Sequence, residues 1–157
     1  SRLEAFTGYL GKDGIAPKDV ISDMREVMSA PDIALMKTGK GLSRGLDRVE
    51  EIRAEVLPHL GARDPHELAK LFEATSTVLL TELCLNAALM RKESRAGHYR
   101  EDYPVRDESQ LAWLCLRKDA DSKPEFFRVP VPLEKYKHPV TRYYQDNFAF
   151  PTSESAK

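Results

Sequence analysis

The chain has 157 residues, a formal net charge of -1 at neutral pH, and 41% hydrophobic against 31% charged residues. That length accommodates one ordinary domain with a genuine core, and the composition excludes a wholly disordered chain. The near-neutral balance gives nucleic acid no general basic face, and the most apolar window, 78–90, is interrupted by Thr81, Glu82 and Asn86 and is too short to span a bilayer.

Residues 1–16 contain three glycines and no sustained periodicity, so they read as a lead-in segment without the apolar core of a signal peptide. A first helix is expected from Pro17, with Asp19 favouring the N-terminal dipole and Val20, Ile21, Met24, Val27 and Met28 forming one stripe until Pro31 ends it. After a hinge at "KTGKG", a second helix is expected over 42–57, with Leu42, Leu46, Val49, Ile52 and Val56 at three- and four-residue spacing and Pro58 and Gly61 closing it. The third has the strongest start: Asp64 as N-cap, Pro65 at the first helical position, and Glu67 placed to reach back to the cap. It should run about thirty residues, and apolar residues surround its axis over 78–90, as in a central helix covered by two others.

Beyond Pro104 the period changes. "LAWLCLR" and "EFFRVPV", joined by "KDADSKP", predict a two-stranded hairpin in which Pro130 and Pro132 confine the second strand to an edge. The aromatic end, with Tyr143, Tyr144, Phe148 and Phe150, reads as an arm laid over another surface. The expected class is therefore mainly α: an antiparallel, spectrin-repeat-like three-helix bundle over 17–104, a hairpin-containing extension over 105–135 and a C-terminal arm over 136–157. Cys84 and Cys115 lie among apolar neighbours without a CxxC pair, so buried free thiols in a reducing compartment are expected. His59, His66 and His138 show no ligand spacing and belong on the surface, and Glu82 with Asn86 reads as a satisfied pair or a groove edge. No residue is assigned to catalysis, to a cofactor or to a metal.

The stretch "RKESRAGHYREDYP", residues 91–104, is different in kind. Its first half reads as a helix exit, with Arg91, Lys92 and Arg95 in the last turns at the negative dipole end and Gly97 at the left-handed position after them. Its second half carries more chemistry than a cap needs. Tyr103 before Pro104 is biased to an extended backbone, so the side chains of "HYREDYP" should project from a strand-like segment.

Here the residues carry a resemblance. "ESRAGHYREDYP" followed by "VRDE" is similar to the signature near the end of the flavoprotein subunits of succinate dehydrogenase and fumarate reductase, found more loosely in L-aspartate oxidase and adenylylsulfate reductase. Glu93, Ser94, Arg95, His98, Arg100, Asp102, Tyr103, Pro104, Arg106, Asp107 and Glu108 match. The family's Gly-Ala pair is inverted to Ala96-Gly97. "REVM" and the step into Leu42 resemble the family's first two C-terminal helices, and the likeness runs over 17–135.

The resemblance implies a C-terminal helical domain whose parent binds FAD, interconverts succinate and fumarate and passes electrons to an iron–sulfur subunit. It implies partners in the parent's FAD-binding and capping domains, and a cytoplasmic setting, peripheral on the membrane through the parent complex, with no nucleic acid and no direct membrane insertion. No GxGxxG follows a strand here, so the chain should hold no flavin and be inactive alone. Glu93, Ser94, Arg95, His98, Tyr99, Arg100, Asp102 and Tyr103 would form an inter-domain contact, with Arg95 and Arg100 reaching acids across the junction and His98 as a hydrogen-bonding link. An isolated chain is expected to pair with a second copy through the face its missing domains should cover. A free-standing helical interaction module remains the alternative, as does the same domain from an adenylylsulfate reductase or aspartate oxidase-like parent.

Overall fold

A computed structural model describes residues 7–135. Helix α1 spans Pro17–Ser29, the single-turn α2 Pro31–Ala34, α3 Gly39–Glu51 and α4 Pro65–Met90; strands β1 (Ala112–Lys118) and β2 (Pro124–Pro130) follow. The aromatic arm and His138 lie outside the described residues.

Proline starts three of the four helices, as expected where the first N–H groups have no intrahelical partner. Helix α3 begins three residues before its first stripe residue, because the Thr38 side chain caps it by accepting from Gly41 N at 2.9 Å. At its far end Pro58 has no N–H for the ladder, and the α-helix gives way to a π-helical stretch, Ile52–Val56, and a 3-10 turn, Leu57–His59. Asp64 caps α4 by accepting from Glu67 N at 2.8 Å, while the Glu67 carboxylate accepts from Arg63 N at 2.8 Å, one residue further back than a capping box requires.

Helices α1 and α3 both pack on α4 and touch each other little. Val20 and Met24 from α1, Leu42 and Val49 from α3, and Leu71, Ala74, Val78 and Leu85 from α4 form the core with Ile33, Ile52 and Leu60. Each of the large side chains contributes roughly 1.5–3 kcal/mol relative to exposure. The lead-in segment is tied in by backbone hydrogen bonds, Gly11 N donating to Ala62 O at 2.7 Å, Ala62 N to Tyr9 O at 3.1 Å and Ile15 N to His59 O at 2.8 Å, and by Tyr9 packed against the core. Gly14 and Gly61 permit this crossing, since a Cβ on either would lie 2.5 Å from a carbonyl oxygen of the other strand.

Four expectations are corrected here. Helix α4 has 26 residues and ends at Met90, so Arg91, Lys92 and Arg95 follow the helix and are not in its last turns. It is not covered all round: Leu80 is 61%, Leu79 41% and Met90 38% exposed, because two helices cover one side of a cylinder and leave the other apolar. Neither cysteine is fully buried, for Cys84 points out on that open side and Cys115 is half-buried; both are free. The second helix starts at Gly39, so its "KTGKG" hinge is mostly cap and first turn.

The expected hairpin forms, with Trp113 opposite Val129, Cys115 opposite Phe127 and Pro130 at the strand end. Leu114 turns toward α4, where it lines a cleft with Leu85 and Ala88. Arg128 donates to Met90 O at 3.0 Å, so the hairpin is docked on the end of the long helix.

Candidate functional site

The segment after α4 is a folded loop with two ionic centres. Glu93 has 0% exposed side chain. Its carboxylate accepts from Arg91 Nη1 at 2.6 Å, from Arg95 Nε at 3.0 Å and Nη2 at 2.9 Å, and from Asp107 N at 3.0 Å. Arg91 also donates to Ala112 O at 2.8 Å, and Arg95 to Asp107 O at 3.1 Å. Burial works against the charge on Glu93, but Arg95, the Asp107 amide and Arg91 outweigh it and hold its pKa below the ordinary carboxylate value.

The second centre is Arg100, which is 2% exposed. One arm of its guanidinium donates to Ala88 O at 2.8 Å, a carbonyl that the end of α4 leaves open. The other side pairs with both oxygens of Asp102, Nε at 2.8 Å and Nη2 at 2.7 Å, and Asp102 Oδ2 in turn accepts from Gly39 N at 2.8 Å. A cation thus sits at the negative end of α4 and an anion at the positive end of α3, joined to each other. The Arg100 guanidinium, helped by the Gly39 amide and opposed by burial, draws the Asp102 pKa down to about 2.

Ser94 and His98 complete the loop. Ser94 Oγ donates to Tyr103 O at 2.8 Å and accepts from Arg100 N at 2.9 Å. His98 Nε2 lies 3.2 Å from Arg91 O, and because a carbonyl only accepts, Nε2 carries the proton. Burial lowers the His98 pKa, as do the nearby charges of Lys37, Arg91 and Arg100, against the raising effect of the Arg91 carbonyl. The loop closes on the α2–α3 connection through Lys37 N to Tyr99 O at 3.1 Å and Glu101 N to Lys37 O at 2.8 Å.

The eight residues singled out in the sequence are therefore brought together, but in two layers. Glu93 and Arg100 are buried, Ser94, Arg95 and His98 are half-buried, and Tyr99, Asp102 and Tyr103 are exposed. Arg95 and Arg100 are committed bidentately to Glu93 and Asp102, which corrects the expectation that they reach acids across a junction. The strand-like "HYREDYP" is also corrected: Tyr103 N donates to Arg100 O at 3.1 Å, closing a turn. The guanidinium of Arg100 stacks 5.1 Å from the Tyr103 ring. Missing from the sequence reading were Gly39, Lys37 and Gln110; the last holds Lys92 through its amide, 2.9 Å to Lys92 O.

The left-handed residue is Ala96, with φ 50°, while Gly97 is not at positive φ. Reciprocal bonds between Arg95 and His98, 2.8 and 3.0 Å, make Ala96-Gly97 the centre of a tight turn whose first position suits glycine. Ala96→Gly is expected to stabilise the chain by about 0.5–1 kcal/mol, read as a rise in the urea midpoint at unchanged slope. Glu82 is paired with Arg53, and Asn86 Nδ2 donates to Glu82 O at 2.9 Å beside the groove they line with Val49. His59 and His66 are exposed. Among the described residues no group of three or more His, Cys, Asp or Glu is placed to hold a metal, and no helix is long and apolar enough to cross a membrane.

The family model described as fumarate reductase flavoprotein C-term matches residues 21–144. The chain is 38% identical over 90 residues to an L-aspartate oxidase of Rhodospirillum rubrum, covering 57% of this chain and 27% of that protein. It is 27% identical over 143 residues to a fumarate reductase flavoprotein subunit of Mycobacterium tuberculosis, covering 86% and 24%. Among solved structures, the Mycobacterium smegmatis Sdh1 complex in the apo form contains a chain with the same fold, TM-score 0.70 and 20% identity, over 90% of this chain and 28% of that one. The chain spans about a quarter of the length of each.

Proposed function

Because the chain belongs to the family of fumarate reductase flavoprotein C-terminal domains, we propose that it is the helical packing domain of a succinate/fumarate-type oxidoreductase and performs no chemistry by itself. The observation that carries this reading is the open apolar side of α4, with Leu79, Leu80 and Met90 exposed beside a loop whose ionic groups are satisfied internally. An apolar helix face of that kind calls for a partner surface. In this reading the parent's FAD-binding and capping domains cover it, with exposed Tyr99, Asp102 and Tyr103 at the rim. An iron–sulfur subunit would take the electrons, and the parent complex would bring the domain to the cytoplasmic surface of the membrane. Without those domains, a second copy would cover the same face.

The residues present do not fit a flavin. A dinucleotide pyrophosphate needs amides free at a helix N-terminus and cations free beside it. Here the amide of Gly39 is already taken by the Asp102 carboxylate, and the guanidiniums of Arg95 and Arg100 are bound to Glu93 and Asp102. No reaction step is therefore assigned to this chain.

The succinate/fumarate branch is preferred because a fumarate reductase match runs over 143 residues, whereas the aspartate oxidase matches run over 90 to 101. An aspartate oxidase-like parent is the second reading, on the strength of the 90-residue match's higher identity. Calorimetric titration of the 157-residue chain with FAD tests the proposal. No saturable heat is expected; a one-to-one isotherm would contradict a domain that only packs.

A further inference from the structure

The loop after α4 is held shut partly by the imidazole of His98. The His98 ring lines a cleft of about 360 Å³ with Cys84, Leu85 and Ala88 of α4, Leu114 of the hairpin, and Lys37 and Arg91. Its Nε2–H donates to Arg91 O, which leaves Nδ1 as the atom that takes a second proton. Its backbone is one half of the Arg95–His98 pair, and the next residue, Tyr99, accepts from Lys37 N.

We propose that His98 is an acid-operated latch: the neutral ring keeps the Arg95–Arg100 turn closed on the Lys37 backbone, and protonation at Nδ1 releases it. The groups facing the ring make this one-sided. Lys37 from the α2–α3 connection, Arg91 from the end of α4 and Arg100 from the turn itself are all cations. Glu93 and Asp102, paired with Arg91 and Arg100, offset part of the repulsion from these cations, so burial of the ring is the larger effect. A charge added to a half-buried ring among three cations is disfavoured by burial and by repulsion together. The cleft gives protons access to the ring.

The direction with pH follows from linkage. Burial holds the folded ring's pKa below its ordinary 6.5, so the unfolded or opened loop binds the proton better. The latch is fully closed above pH 6.5 and weakens as the pH falls from there toward the ring's folded value. Tyr99 and Asp102, set at the rim of the docking face, would lose their fixed positions as it opens. That last consequence rests on the docking reading; the latch itself rests on the loop alone.

Amide hydrogen exchange of the 157-residue chain over a pH series from 7 downward, corrected for the intrinsic rate, tests it at two sites, Lys37 N and Glu101 N. Protection there should fall up to about tenfold per pH unit below 6.5 in the native sequence and level off at the pH where NMR shows the His98 ring to titrate. His98→Gln keeps an N–H donor and cannot be protonated, so its two amides should hold their protection over the same range. An equal loss in both proteins, or a ring that titrates at or above 6.5, would overturn the latch. Should the variant not fold, the native chain decides: protection that does not fall between pH 6.5 and the ring's NMR pKa, or that goes on falling at the same slope below that pKa, overturns it. Neither result depends on whether anything docks.

Discussion

Replacing Glu93 by alanine is expected to lower the unfolding free energy by about 3–5 kcal/mol, measured as a fall in the urea midpoint. The size follows from what the carboxylate holds. Glu93 accepts from Arg91, Arg95 and the Asp107 amide with no exposed surface of its own, and its loss strands two guanidiniums in a site that water reaches poorly. Arg91 would lose its anchor while still tied to Ala112 O, so the hairpin would loosen on the helix as well. Glu93→Gln separates charge from shape. It keeps the packing and one acceptor oxygen, and should lose about half as much. Equal losses in the two variants would show that the charge, not the packing, is what Glu93 supplies.

Arg100→Ala is the second large effect, about 3 kcal/mol on the same measurement. Three consequences add in one direction: an emptied site in the interior, an uncapped Ala88 carbonyl, and an Asp102 carboxylate without its partner. Asp102 is itself more than a third exposed, so water takes up part of the last consequence, and the figure sits at the low end for that reason. Arg100→Lys should rescue little, since a single ammonium cannot bind the carbonyl and both carboxylate oxygens at once. The variant also carries a pH signature. In the native sequence Asp102 titrates at about 2 when folded against 3.8 ordinarily, so its contribution is complete above about pH 4 and is lost as the pH falls toward 2. Without Arg100 that acid limb should flatten.

The same contacts explain which parts of the fold were legible in the sequence. Helix starts were readable because their signals are local: proline at the first position, Asp64 as a cap, and stripes at three- and four-residue spacing. The hairpin was readable from its two apolar runs. The end of α4 was not, because the group that caps its carbonyls is Arg100, twelve residues beyond Ala88 and invisible to a local window. Lacking that partner, the pattern extended the helix through Arg91 and Arg95. The left-handed position was misplaced for a related reason. Local preference puts glycine there, but Glu93, Ser94 and Asp102 pin the loop around the turn, and the register that results falls on Ala96. Tertiary pairing overrode propensity at that one residue.

The candidate site was half legible. Its members were identified from the matching motif, yet their roles depend on partners that spacing cannot reveal. An Arg two residues from a Glu or from an Asp looks equally free to reach outward or inward. Only the folded loop shows both guanidiniums turned in, and leaves the outward face to Tyr99, Tyr103 and the apolar side of α4.

The central claim is that this open side of α4 is a packing surface for the rest of a flavoprotein. Its most direct test is the association of the 157-residue chain with the FAD-binding segment of the same protein, produced separately and followed by calorimetry, with Leu80→Glu as the comparison. Leu80 is 61% exposed, so the substitution should leave the chain's own melting temperature unchanged. The account predicts one-to-one binding that the substitution weakens at least about tenfold, as expected when a charge must be desolvated at an apolar contact. Equal binding by both, or none by either, would contradict it.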